Sequence, residues 1–445
     1  MHALDSLMPT DVIRRWPEER RLVALVSAGT HPRWARWSIL GEPSETIRCE
    51  HDDTSIREAI SLLDGASASP SRGSCSFTSG WIVELRYELG GFFEPRSLRE
   101  CPAGVTMLLH RCDRALVHDN VLDRWHTPSV DDGLLDDLRR NEPDEGGSLS
   151  ALSSECGATD YATRVRRALE YIRDGDVYQV NVAHTLRAAI SGSWRALGAD
   201  RLESMRPWYG AYIESEPDMA VLSCSPELLV ELDGVSRSVV SRPIKGTRSD
   251  AVSPDELAHS AKDAAELSMI VDLMRNDLGR VCEPGSIGVA SHRQIEHHGH
   301  VHHDQGRGVW HAVSTIEGTL RRELGISDLL RACFPAGSIT GAPKIRAMQI
   351  IEELERCQRG AYCGSIGFVS DSGHACFNVA IRTATLRSES SDRRDGAIEY
   401  PVGAGIVAQS RPEDEWLETL HKSAGMRGLR DLAPEIEGRP IEHAL

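Results

Sequence analysis

Apolar residues recur at helical spacing between Tyr161 and Arg173, where Val165, Ala168, Leu169 and Ile172 share one face and Gly175 supplies a stop. Two more helices have legible starts. Ser253-Pro254-Asp255-Glu256 has the spacing of a capping box with proline at the first helical position, and predicts a helix running to Gly279. Ser410-Arg411-Pro412-Glu413 repeats that spacing and predicts a helix through about Leu429, with Trp416, Leu417 and Leu420 as its core-facing stripe. A further helix follows a Gly-rich turn in Pro335–Glu355, its apolar face carrying Ile345, Met348, Ile351 and Leu354. Elsewhere the period changes. Trp81–Tyr87 alternates like a strand before Gly90-Gly91, and Val221–Thr247 reads as a hairpin turning at Asp233-Gly234. Asn141–Asp160 is polar, rich in Gly and Ser, and reads as a linker. The mixture predicts an α+β protein in which antiparallel strands are separated by a few long helices.

Charge narrows the possible partners. The 445 residues contain 50 Lys+Arg against 67 Asp+Glu, a formal charge of −17 that disfavours nucleic acid and anionic membranes. No run of about 18 apolar residues occurs, and Asp5, Asp11, Arg14 and Arg15 interrupt the N-terminus where a signal peptide needs an apolar stretch. A soluble, cytoplasmic protein is expected. The 11 cysteines form no CxxC pair, which argues against a disulfide framework or thiolate zinc site and for small buried hydrophobes.

Candidate chemistry lies in a few places. On the two capped helices, Asp263 and Glu266 share a face, as do Glu415, Glu418 and Lys422. Such acidic faces suit magnesium with an anionic ligand, although acids near helix starts also serve the dipole and solubility. Lys245 in "RPIKGT" would lose hydration at an apolar strand end and become a usable nucleophile, or else is simply solvated. Glu227 is a candidate raised-pKa acid or an ordinary strand carboxylate. Symmetry about Asp233-Gly234 would set Glu227 opposite Val240, leaving Lys245 about 16 Å further along at ~3.3 Å per residue. A shared site then requires the strand end to curl. Gly337, Ser338, Thr340 and Gly341 precede a helix and could cradle a carboxylate, without Walker spacing, or form a plain cap. Arg382 lies inside a strand pattern, where an arginine has a buried partner or an anionic ligand. Gly403-Ala404-Gly405 permits close approach of a ligand or tight packing. His292, His297, His298, His300, His302 and His303 read as a solvated loop, whereas His311 lies in a regular element facing core or cleft.

These segments together resemble the chorismate-utilising enzymes, the family of anthranilate synthase component I, aminodeoxychorismate synthase component I, isochorismate synthase and salicylate synthase. The resemblance runs over about residues 160–425 through "GDVYQVNVA", "SCSPELL", "RPIKGTR", "AELSMIVDLMRNDLGRVCEPGSI", "HAVSTIEGTL", "FPAGSITGAPKIRAMQIIEELE", "GAYCGSIGF", "AIRTATL" and "GAGIVAQSRPEDEW". Only "RWSILG" and "GGFFEP" are familiar in the N-terminal third. It implies an anthranilate-synthase-like fold, two large antiparallel sheets packed as a β-sandwich with helices outside. It also implies an N-terminal region at 1–140, a linker at 141–160, a chorismate-binding region at 161–430 and a tail at 431–445.

Two positions point to a branch. Members that add water have a lysine base where this chain has Gln179, and members resembling "PIKGT" at Lys245 are the aminodeoxychorismate synthases rather than the anthranilate synthases. The resemblance then implies that Glu227 protonates the departing C4 hydroxyl of chorismate while Lys245 attacks C2, after which ammonia adds at C4. The product would be 4-amino-4-deoxychorismate, a precursor of p-aminobenzoate and folate. Magnesium would be held by Glu266 and Glu415, with Asp263 and Glu418 supporting through water. Arg382 and Tyr362 would hold the enolpyruvyl carboxylate, and Ser338, Gly405 and Lys422 would surround the ring carboxylate, with Gly403 and Gln179 also in the substrate site and Thr247 and His311 lining the pocket. Ammonia is expected from glutamine through a separate amidotransferase subunit. Anthranilate synthase component I is the alternative activity, and an inert scaffold for the amidotransferase the alternative without catalysis.

Overall fold

The computed structural model describes residues 4, 6–29, 31–50, 53–65, 77–98, 104–126, 132–299, 308–388 and 393–427. Strand alternation sets its layers. Val23, Ala211, Ile213 and Val221 of a twelve-stranded sheet point into a core shared with Ile82, Ile366 and Phe368 of a ten-stranded sheet. Their neighbours point the other way: Ala24, Tyr212, Ala220 and Leu222 meet helices through Val12, Leu138, Trp194 and Leu197. On the ten-stranded sheet, Val83, Val369 and Phe377 likewise face away, in one cluster with helix residues Ile56, Leu267, Leu329 and Met348. The expected sandwich of two antiparallel sheets with outer helices is therefore the observed architecture.

Both sheets draw on the whole chain. Val23–Val26, Trp37–Gly41, Leu116–Asp119 and Arg124–His126 extend the larger sheet, and Glu45–Glu50, Gly80–Leu85 and Val105–Cys112 the smaller. Within the stretch read as a linker, Ser148–Leu149 and Ser153–Ser154 pair with the long strand Gln179–Ser191. The helix after it spans Ala158–Arg173, buries Tyr161, Val165 and Ala168, and is followed by Gly175 at φ 84°.

The structure corrects several expectations. The hairpin pairs Leu228 with Arg242 and Leu232 with Val239, because Asp233 Oδ1 accepts the N–H groups of Val235 and Ser236 and widens the turn. Glu227 is therefore set beside the Pro243–Ile244 segment rather than opposite Val240, and no curl is needed to bring it to Lys245. The helix expected to run unbroken to Gly279 is two helices, Pro254–His259 and Ala261–Gly279. Ser260 breaks it and caps the second by accepting from the Asp263 N–H, while Arg293 donates to the carbonyls of Leu257 and Ser260 at the junction.

The last long helix is Pro412–Lys422, with a short Ala424–Arg427 turn after it; Leu429 lies outside the described residues. There Glu415 and Thr419 are buried and Leu417 is exposed, so the inward stripe is rotated from the expected one, with only Trp416 packing as foreseen. Ile345 is likewise at the surface of the helix Lys344–Glu355. Arg382 is not within a strand: it stands at φ 52° between Ala375–Asn378 and Thr383–Arg387. Nor do the described histidines form a loop. His292, His297 and His298 belong to the strand Gly288–His298, and His298 is buried; His300, His302 and His303 lie outside the described residues. Cys49, Cys112, Cys156, Cys224, Cys282, Cys333 and Cys363 are free and buried, as expected of small hydrophobes.

Candidate functional site

The pocket forms where the ends of both sheets meet the helices Ala261–Gly279 and Pro412–Lys422. The strand Ile244–Ser249, an edge of the smaller sheet, presents Lys245 toward Gln179–Ser191 and Gly396–Ile406 of the larger. A methyl at Gly405 would fall 2.8 Å from Lys245 Nζ and 3.4 Å from Gln179 Nε2, so the glycine leaves the space in which both groups stand. Gln179 is fully buried, and neither its amide oxygen nor its amide nitrogen has a hydrogen-bond partner in the protein. Buried polar atoms without partners are expensive unless a ligand satisfies them.

Glu227 accepts a hydrogen bond from Ser338 Oγ at 2.9 Å. Burial pushes its carboxyl up to about 7, against the opposing effects of Ser338, the Ile244 N–H and the Lys245 charge. At neutral pH it is thus poised to hold or release a proton. The turn Gly337–Ile339 that supplies Ser338 leads into Gly341–Ala342, which pairs with Gln179 and Val180, so the Gly-rich segment is bound to the same strand as Gln179.

Carboxylates from two helices face this lysine. Lys245 Nζ lies 3.2 Å from Glu266 Oε2, and Lys262 Nζ 3.9 Å from Glu266 Oε1. Glu415 is 3% exposed; burial, together with the charge of Glu418, raises its pKa despite a hydrogen bond with Ser410. Glu418 pairs with Lys422 at 2.7 Å, and that charge holds it down to about 2, with help from Lys245 and Lys262. Asp263 is taken by Arg248 at 2.8 Å. Among the described residues no three His, Cys, Asp or Glu side chains converge as a preformed metal cage. Glu266 and Glu415 could each offer oxygens to a hard divalent cation, which needs only one or two protein oxygens when substrate and water supply the rest.

The opposite wall is cationic and aromatic. Thr247 Oγ1 lies 2.9 Å from His311 Nδ1, leaving the buried Nε2 of His311 without a protein partner. Burial holds this imidazole well below its ordinary pKa, as do the nearby His298 and Arg382, so it stays neutral. Arg382 is half-buried with no carboxylate partner among the described residues, and desolvation lowers its pKa. Lys422 Nζ donates to the Gly403 carbonyl at 2.8 Å. A methyl at Gly403 would lie 2.9 Å from the Tyr362 hydroxyl and 2.6 Å from Asn181 Oδ1. Short contacts thus link Ser338 to Glu227, Lys245 to Glu266 and to the space beside Gly405 and Gln179, Thr247 to His311, and Lys422 to Glu418 and Gly403.

Some participants escaped the sequence reading. Asn181, whose Oδ1 is buried without a partner, follows Gln179 by two and so shares its strand face, a signal that was present. Lys262 precedes Glu266 by one helical turn, a second readable signal. His298 had none: it stacks on Trp208 at 3.7 Å and meets His311 edge-on at 4.8 Å, a contact made only by tertiary packing.

Comparison with known proteins agrees with this geometry. The family described as chorismate binding enzyme matches residues 24–428. The aminodeoxychorismate synthase component 1 of Escherichia coli K12 is 37% identical over 404 residues, covering 86% of this chain and 84% of that one. An anthranilate synthase component 1 of Haloarcula marismortui is 41% identical over 311 residues, a match spanning 66% of this chain and 58% of that relative. In structure, anthranilate synthase component I from Streptococcus pneumoniae superposes with a TM-score of 0.74 at 26% identity, over 88% of this chain and 92% of that one. The menaquinone-specific isochorismate synthase MenF of Escherichia coli, at 17% identity and a TM-score of 0.66, shares the fold. A buried acid, a lysine beside Gly405, and the unpartnered amide of Gln179 and Nε2 of His311 agree with the sequence match: the chain belongs to the family of chorismate binding enzymes.

Proposed function

We propose that the chain acts as an aminodeoxychorismate synthase component I, aminating chorismate at C4. The observation that carries this reading is Lys245, whose amino group stands in the pocket against Gly405 and Gln179, on the segment whose Ile244 N–H meets Glu227. Glu227, carrying a proton up to about pH 7, gives it to the C4 hydroxyl. The C4–O bond breaks and water leaves as Lys245, as its free amine, bonds to C2; both ring double bonds shift, and the proton lost by the bound nitrogen returns to the Glu227 carboxylate. Ammonia then bonds to C4, both double bonds shift back, and the C2–N bond breaks to release Lys245, whose nitrogen takes up the proton lost by the new C4 amino group. The sum is chorismate plus ammonia giving 4-amino-4-deoxychorismate plus water. Gln179 supports ammonia over water as nucleophile, since an amide cannot deprotonate water. Arg382, Tyr362 and Lys422 supply positive charge and hydrogen bonds for the two carboxylates of the substrate.

Magnesium fits the carboxylate edge of the pocket. Glu266 and Glu415 offer hard oxygen donors, and burial with a neighbouring charge makes Glu415 hard to ionise without a cation. A magnesium ion held by these two, with Asp263 and Glu418 behind them, would offset the charge of the substrate's ring carboxylate. The term component 1 in relatives' names supports a separate glutamine amidotransferase as the ammonia source.

Incubation of the protein with chorismate, magnesium and ammonium tests the reading by product identity. The expected product yields p-aminobenzoate only after a lyase is added. Fluorescent anthranilate formed directly would assign the chain to the other amination instead.

A further inference from the structure

Lys262 has no part in the chemistry above, yet it stands among its charges. It opens the helix Ala261–Gly279, one turn before Glu266. The two oxygens of Glu266 face different ammonium groups, Oε2 toward Lys245 at 3.2 Å and Oε1 toward Lys262 at 3.9 Å. The Lys262 charge also reaches Glu415 and Glu418 on the helix Pro412–Lys422. Lys245 is held, with 16% of its side chain exposed, whereas 53% of Lys262 is exposed and, among the described residues, no second ion pair fixes it. The other charges facing this space are Lys422, committed to Glu418, and Arg248, committed to Asp263. A divalent cation entering between the helices must therefore approach a Glu266 oxygen that Lys262 already faces.

We propose that Lys262 is a displaceable counterion of the metal carboxylates: it partly neutralises Glu266 and Glu415 in the free enzyme, swings into solvent when magnesium enters, and weakens magnesium binding until substrate is present. The inference rests on the reading of Glu266 and Glu415 as magnesium ligands. The ordering follows from charge. The lysine opposes the metal in the free enzyme, while the carboxylates of chorismate add negative charge that favours it. One positive charge about 6 Å from a divalent ion changes its affinity roughly 3- to 10-fold after screening.

Calorimetric titration of magnesium chloride into the wild type, Lys262→Met and Lys262→Arg, each with and without chorismate and without any ammonia source, tests this. Lys262→Met should bind magnesium about 3- to 10-fold more tightly than the wild type without chorismate, with a smaller gain when chorismate is present, and Lys262→Arg should match the wild type. A half-exposed lysine is removable without loss of fold, which a thermal melt of each variant verifies. Equal or weaker magnesium binding by Lys262→Met, alongside clear binding by the wild type with chorismate, would overturn the counterion role and leave the metal site standing. Absence of magnesium binding in all three proteins even with chorismate would overturn both.

Discussion

Lys245 Nζ and Glu266 Oε2 lie 3.2 Å apart, which joins the edge strand of the smaller sheet to the helix Ala261–Gly279 at the pocket. The pairing aims the lysine across Gly405 rather than out to solvent. It also places the amine proposed to react next to a carboxylate proposed for the metal, so the covalent and electrostatic parts of the proposed mechanism meet at one ion pair.

Replacement of Lys245 by Ala should reduce the rate of chorismate amination by about 100-fold or more, equivalent to about 2.7 kcal/mol of barrier. The measurement is initial rate with ammonium, followed by product analysis. Turnover like that of the wild type would remove the lysine from the covalent step, and a change of product to anthranilate would show that it sets product identity.

Amination should fall as pH rises through about 7, because Glu227 loses the proton it gives to the leaving hydroxyl. A pH profile of kcat/KM should show this limb, and Glu227→Gln should lack it and retain little activity. Stability carries the same sign. Folded Glu227 keeps its proton to about 7 where an unfolded glutamate releases it near 4.5, so its contribution is complete below about 4.5 and lost as pH rises through 7.

Gly405→Ala separates function from folding. The new methyl would press on Lys245 Nζ at 2.8 Å, the far end of a flexible side chain that can yield. The melting temperature should therefore move little, while kcat falls on the order of 10- to 100-fold through misplacement of the amine. A large loss of thermal stability with normal kcat would contradict this geometry.

Lys344 and Asp277 form an ion pair at 2.8 Å with only 9% and 6% of their side chains exposed, tying the Gly-rich segment to the helix Ala261–Gly279. Asp277→Ala strands a buried ammonium and should destabilise the protein by about 3–5 kcal/mol in urea unfolding. Asp277→Ala together with Lys344→Met should recover much of that loss, since no unpaired charge remains.

The one-dimensional pattern carried a good deal of this molecule. The helix Ala158–Arg173 and the proline-led starts at Pro254 and Pro412 follow from 3.6-residue spacing and from proline at the first helical position, which need no distant partner; Ser253 caps the first of those starts, whereas the residue before Pro412 is Arg411, without a side-chain cap, so the capping box expected from Ser410 does not form. Lys245, Glu227, Gln179 and the four acids were legible because their motifs occur in a recognisable order, and chemistry of that kind restricts residue type.

Tertiary structure decided the rest. The wider turn at Asp233, built from side-chain bonds to Val235 and Ser236, moved the register and brought Glu227 to the Lys245 segment. The break at Ser260 depends on Arg293, a residue of another strand that donates to the carbonyls at the junction. Burial of Glu415 in place of Leu417 reflects a helix turned toward a polar pocket, which hydrophobic spacing alone cannot see. Residue order put these groups forward as candidates; long-range packing set their distances, their dehydration and hence, for Glu227, Glu415 and His311, their acidity.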